Sequence, residues 1–284
     1  METATRSLRP LLALAEDGES FRALAEAVAS RGGSGAAVQA HVSSALRPFV
    51  LAALLAGARL DGAALIVSSD DRSARDLGAD LRAYLAPRPV HLYPSRGTGY
   101  LSHVAPPPHL AGLRVAALDA LTGEGGEGPG PVVVASAVAL AEAVPDPELR
   151  PDGLILHRGE EVDLGDVTEL LVEAGYERTE QVEERGQFAQ RGDILDVYPA
   201  TEERAVRVEL FGDEIESIRW FSTFTQRSLG DAEFVTFAPA AELAGEHREA
   251  AELLDPGAEG GEDERLDLAE LLPMDRFRAP LDLL

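Results

Sequence analysis

Between residues 63 and 135, short apolar runs alternate with helix-forming stretches, and this alternation restricts the fold more than any other feature of the chain. Residues 63–67, 90–93 and 132–135 have the length and apolar content of buried strands. Between the first two, residues 70–85 carry Ala74, Leu77, Leu81 and Tyr84 at helical spacing, and Pro87 ends the run. Pro106, Pro107 and Pro108 introduce a second helical stretch that reaches about residue 121. Strand, helix, strand, helix, strand in this order predicts an α/β unit built on a parallel sheet with right-handed crossovers.

The flanks extend this unit. Leu8, Leu11, Leu12, Phe21, Leu24 and Val28 are spaced as on a helix through residue 30, and residues 38–42 suit a short strand. Ser43 and Ser44 are candidate caps for a helix with Pro48 in its first turn, apolar all round from 49 to 55 and therefore buried. Residues 123–131 are rich in Gly, Pro and Glu and read as a loop, and 137–143 as a short helix. Pro145, Pro147 and Pro151 punctuate a boundary near 148, which gives a first domain over 1–147.

From 148 to 230 the pattern is that of a small α+β module. A helix is predicted over 163–174, with Leu164, Val167, Leu171 and Ala174 inward and Gly175 at the left-handed cap. Residues 181–184 and 187–190 read as a hairpin turning at Arg185 and Gly186, and 194–198 as a strand ending at Pro199. Gly212 and Asp213 join strands over 204–211 and 214–220 in a tight hairpin. Residues 231–284 are expected to return in part to the first domain, and the acidic, Gly-rich stretch at 255–264 to be disordered.

Composition excludes several functions. The 50 acidic residues against 25 cations give a net charge of −25, which disfavours autonomous nucleic-acid binding. Every cation is Arg, so a Walker-type phosphate loop and Schiff-base catalysis both lack their Lys. With no Cys there are no disulfides, thiolate nucleophiles or Cys-ligated metals. The six His fall into no metal-ligand spacing, so no metal site is expected. The longest apolar run, 49–58, is half a membrane span, and Glu16 with Asp17 interrupts any secretory apolar core; a cytoplasmic protein without membrane contact is expected.

Three segments carry a family resemblance: Gly186-Gln187-Phe188-Ala189-Gln190-Arg191-Gly192-Asp193-Ile194-Leu195-Asp196-Val197-Tyr198-Pro199, then 208–218, then Thr225-Gln226-Arg227-Ser228-Leu229. Together they resemble the UvrB-homology region of transcription-repair coupling factors (Mfd). Upstream, 71–77 and 92–95 look like that family's first domain, although Arg96 stands where the family usually has Trp. The motif alone also suits UvrB, the damage-verifying helicase. UvrB, however, has a Gly, Lys and Thr phosphate loop where this chain has Ser43-Ser44-Ala45-Leu46-Arg47-Pro48, and a degenerate loop points to the coupling factor.

The resemblance implies a degenerate P-loop-like parallel-sheet domain, a second domain that binds UvrA, and a third segment resembling the rest of the first domain. It implies an adaptor that needs no cofactor and hydrolyses no ATP. The ATP-dependent translocase motor, and the contacts to RNA polymerase and DNA, would lie beyond residue 284. It also implies that the UvrA site is masked by a distant domain of the full-length protein.

The resemblance ties Arg178, Phe188 and Arg191 to UvrA binding. An Arg fork pairs bidentately with carboxylates, and an aromatic beside it is a common interface anchor. Plainer roles compete with this one: Arg191 in a salt bridge to Glu183 or Glu209, Phe188 in the core, Arg178 simply solvated. Gly186 and Gly192 suit a hairpin turn and a bulge. Arg191-Gly192-Asp193 spells a cell-adhesion tripeptide, set aside inside a strand of a cytoplasmic protein, and no catalytic residue stands out.

Overall fold

The computed structural model describes residues 7–31, 37–57, 60–97, 106–123, 128–245 and 276–283. The chain divides into two compact units, Met1–Pro94 with Asp119–Ala139, and Ser95–Leu118 with Leu140–Leu284.

The first unit opens with a 3-10 segment, Arg9–Asp17, and then α1, Glu19–Arg31. The single helix expected here is split at Gly18, which is extended and ends the 3-10 turn through its N–H to Ala15 O (3.1 Å). Leu12 and Ala15 are buried while Leu11 is exposed. No strand forms over 38–42, where polar side chains alternate without a partner strand. Val38, Ala40 and Val42 instead line a cleft of about 680 Å³ with α1, β1 (Ala64–Ser68) and α2 (Arg47–Gly57). Helix α2 is buried only at Ala52, Ala53 and Leu55, so the fully buried helix expected from its composition is half-buried.

Helix α3, Asp71–Leu85, leads from β1 to β2, Val90–Tyr93. Its cap is Asp70, whose Oδ1 accepts from Ser73 N–H (2.8 Å). That bond and the hydroxyls of Ser69 and Ser73 hold the Asp70 carboxyl below the usual carboxylate range. Ala74, Gly78, Leu81 and Leu85 form the buried stripe. After α4 (Pro108–Thr122) comes β3, Val132–Ser136, which lies between β1 and β2 and pairs in parallel with both. All five β3 residues are buried, which is why a central parallel strand reads as an unbroken apolar run. Arg88 donates to the carbonyls of Leu55 (2.9 Å), Gly62 (2.8 Å) and Gly130 (2.8 Å), filling acceptors that loops leave open.

After α5 (Ala137–Ala141), the second unit continues with β4 (Val144–Pro145), β5 (Leu154–His157) and α6 (Leu164–Glu173). Asp163 caps α6 from its carboxylate, and at the other end Gly175 takes φ +91° while Tyr176 N–H returns to Leu171 O (2.9 Å). A six-stranded sheet follows: β6 (Glu177–Arg178), β7 (Gln187–Arg191), β8 (Ile194–Tyr198), β9 (Ala205–Phe211), β10 (Glu214–Phe221) and β11 (Ser228–Ala232), in the order β11-β10-β9-β8-β7-β6. Strand β12 (Phe234–Phe237) pairs with β5, and β13 (Phe277–Arg278) with β4. The expected disordered stretch at 255–264 lies outside the described residues.

One face of this sheet is apolar. Phe188, Leu195, Val197, Val206, Val208, Ile215 and Ile218 are buried there in one cluster with Leu171 of α6 and Leu156 and Phe237 of the β5–β12 pair. The other face carries charges paired across strands. Asp196 takes two bonds from Arg207 (2.6 and 2.7 Å), Glu209 pairs with Arg219, and Ala189, Ala205 and Phe221 form a small apolar patch between them.

Segment 95–97 and helix α4 are tied into this unit by a buried charge cluster. Arg114, with 0% exposure, bonds Glu242 and lies 2.7 Å from Glu142, while Arg96 donates to Glu242 (2.7 Å) and to Ala143 O (2.8 Å). Burial alone would push the Glu242 carboxyl up, but Arg114 and Arg96 outweigh it and hold it below its ordinary value. Arg96, the position that departs from the family resemblance, is therefore occupied in an ion network.

Candidate functional site

The hairpin expected over 181–190 does not form. Gln187 Oε1 accepts the N–H groups of Glu183 and Glu184 (3.0 Å each), which keeps that segment out of a ladder. The edge of the sheet is instead β6, paired in parallel with β7 through Glu177 N–H to Gly186 O and Thr179 N–H to Phe188 O, both 2.8 Å. Two residues without apolar alternation give no strand signal in the sequence.

Gly186 is not a hairpin turn but the entry to β7. It holds φ +82°, and a Cβ there would lie 2.5 Å from Pro108 Cβ. Gly192 is not a bulge; with φ +60° it is the first residue of the two-residue turn between the paired Arg191 and Ile194.

This edge places the three candidate residues. Phe188 has 0% exposure and packs in the main apolar cluster, so of the two roles open to it, exposed anchor or core, it takes the core one, and its ring supports the edge from inside. Arg178 stands opposite Phe188 in the parallel register, and parallel partners face the same side. It is exposed, and its Nη2 donates to Gln190 Oε1 at 3.0 Å. Arg178, Phe188 and Gln190 line a groove of about 430 Å³ with Gly165, Thr168, Glu169 and Val172 at α6.

Arg191, odd where Phe188 and Gln190 are even, points to the opposite face, and its Nη2 donates to Glu180 O. The two arginines therefore share an edge and not a face. Nor is Arg191 engaged by Glu183 or Glu209, since Glu209 pairs with Arg219.

The edge is electrostatically distinct. Arg185 pairs with Glu203 (2.9 Å), Arg207 with Asp196, Arg219 with Glu209 and Arg158 with Glu233 (3.8 Å). Arg178 and Arg191 are held only by neutral acceptors, an amide and a backbone carbonyl, with no carboxylate partner among the described residues. Their guanidinium groups are oriented but not neutralised, and so remain open to an incoming carboxylate. Gln190 and the Glu180 carbonyl, which do the orienting, were not foreseen. Gln190 was open to inference from its position two residues beyond Phe188 on one strand face, whereas a backbone acceptor leaves no sequence signal.

Elsewhere, Ser43 forms no side-chain cap bond with the 3-10 turn Ser44–Leu46 that it precedes, so its expected capping role is corrected. That turn runs directly into α2, and Ser43, Ser44 and Arg47 are exposed. Among the described residues no group of three or more His, Cys, Asp or Glu could hold a metal ion. No described helix is long and apolar enough to cross a membrane.

The sheet, α6 and the β5–β12 pair lie within residues 154–243, which match the UvrB interaction domain family. The chain is, further, a homologue of the transcription-repair-coupling factors. It is 34% identical to that of Mycobacterium bovis over 78% of its length and 19% of the relative's, and 34% identical to that of Bacillus subtilis over 60% and 14%. It is also 36% identical to the UvrABC system protein B of Thermotoga neapolitana, over 39% of the chain and 17% of that protein. The chain thus spans less than a fifth of the length of these relatives.

Proposed function

We propose that the chain is the UvrB-homology region of a transcription-repair coupling factor and acts as a cytoplasmic adaptor. Its second unit binds UvrA through the β6 edge and so recruits UvrA to stalled RNA polymerase in transcription-coupled nucleotide excision repair. One observation carries this reading: within the matched domain, Arg178 and Arg191 project from a single edge, oriented by hydrogen bonds yet without a carboxylate partner among the described residues. Phe188 contributes by fixing β7 from the core. Contacts to RNA polymerase and DNA, and the ATP-dependent translocase, belong in this reading to other parts of the full-length protein. The test is calorimetric titration of UvrA. The Arg178→Ala/Arg191→Ala variant should bind at least tenfold more weakly than the wild type, and equal affinities would sink the site assignment.

A second reading, a UvrB-like ATP-dependent helicase, is favoured by the similarity to UvrABC system protein B. Against it, the degenerate loop Ser43 to Pro48 has neither the Lys nor the glycines that a phosphate cradle needs, and Pro48 lacks a backbone N–H. The adaptor reading therefore involves no nucleotide in these residues. Titration with ATP and Mg²⁺ should release no heat of binding; saturable binding would favour the helicase.

A further inference from the structure

Two further arginines of the second unit lie close together without a carboxylate partner among the described residues. Arg204 and Arg227 make no ion pair among the described residues, although carboxylates outnumber cations two to one in this chain. Both lie where β10 turns into β11: Arg204 immediately precedes the paired Ala205 and Phe221, and Arg227 closes the turn.

The turn is closed by hydrogen bonds. Ser222 N–H donates to Arg227 O (3.0 Å), Gln226 N–H to Ser222 O (2.7 Å) and Thr225 N–H to Ser222 Oγ (3.2 Å). Gln226 Nε2 also donates to Thr223 O (2.8 Å), with Gln226 in the left-handed region at φ +57°.

At the tip of this turn Phe224 is 96% exposed. A phenyl ring in water is unfavourable, and a left-handed Gln is strained, yet the hydrogen bonds close the turn that carries the ring at its tip. An aromatic on a hydrogen-bonded turn, flanked by un-neutralised arginines, has the composition of an interface anchor, because little backbone freedom is lost when it docks. Strand addition is not the mode. β11 carries a register shift opposite Trp220 and Phe221, and Gly230 at φ +147°, features that bend an edge away from pairing.

We propose that the turn 222–227 is a second anchor for the same partner: Phe224 enters an apolar socket on UvrA while Arg204 and Arg227 meet carboxylates at its rim. This rests on the UvrA-binding reading and deepens it. The turn lies inside the matched interaction domain. It joins strands four and five positions from β6, about 19–24 Å at the usual strand spacing, whereas a standard interface of about 800 Å² per partner is roughly 30 Å across.

Titration of purified UvrA into the whole chain decides it, using the wild type, Phe224→Ser, Arg227→Glu and Arg178→Ala/Arg191→Ala. Phe224→Ser and Arg227→Glu should each weaken binding about tenfold with unchanged melting curves, since both side chains are exposed. If the β6-edge variant loses affinity while both turn variants bind as the wild type does, the turn is no anchor and the UvrA reading stands. If the wild type itself does not bind UvrA, both fall.

Discussion

Arg178 and Phe188 sit opposite each other in one strand register, and their roles separate by burial. Phe188 fills a closed cluster, so Phe188→Ala should cost about 3–5 kcal/mol of stability and lower the urea midpoint of the second unit. Arg178→Ala, at an exposed site bonded only to Gln190, should change stability by no more than about 0.5 kcal/mol and act on binding alone. Urea unfolding of the two variants side by side distinguishes support from contact. The sequence marked all three residues of this edge through the resemblance but could not tell which face each occupies. The facing depends on β6, two residues long, and on Gln187 taking up the amides that a hairpin would have used.

At the scale of elements, helices and central strands were the legible part. α3, α6 and the β9–β10 hairpin follow from periodicity, an acidic cap or a Gly-containing turn, all local signals. What stayed hidden is long-range: the segment 38–42 that finds no strand partner, and the charge cluster joining residues far apart in the chain. Arg96 and Arg114 meet Glu142 and Glu242 only after folding.

That cluster makes a pH prediction. The Glu242 carboxyl is held below its ordinary value in the fold, so its stabilisation is complete above the ordinary Glu range, near 4.5. It is lost as pH falls through that range towards the folded value. Acid unfolding followed by circular dichroism should show this loss in the wild type. Glu242→Gln should be less stable at neutral pH by about 1–3 kcal/mol, with a flatter acid limb, because Arg114 keeps Glu142 but loses one of its two carboxylates.

Across the whole molecule, the strong acidity sets off the two arginines of the β6 edge that have no carboxylate partner among the described residues. With 50 acidic residues against 25 arginines, most cations of the second unit are matched by carboxylates, and those that are not among the described residues are the groups proposed for recognition. An adaptor of the proposed kind would meet its partner by local charge, not by net charge, and such contacts weaken with salt. The most direct measurement is the affinity of the wild type and of Arg178→Glu/Arg191→Glu for UvrA at low and at physiological ionic strength. Wild-type binding should weaken as salt rises, while the charge-reversed variant should bind at least a hundredfold more weakly at low salt and lose that dependence. Equal affinities at both ionic strengths would contradict the assignment of the β6 edge as the docking site.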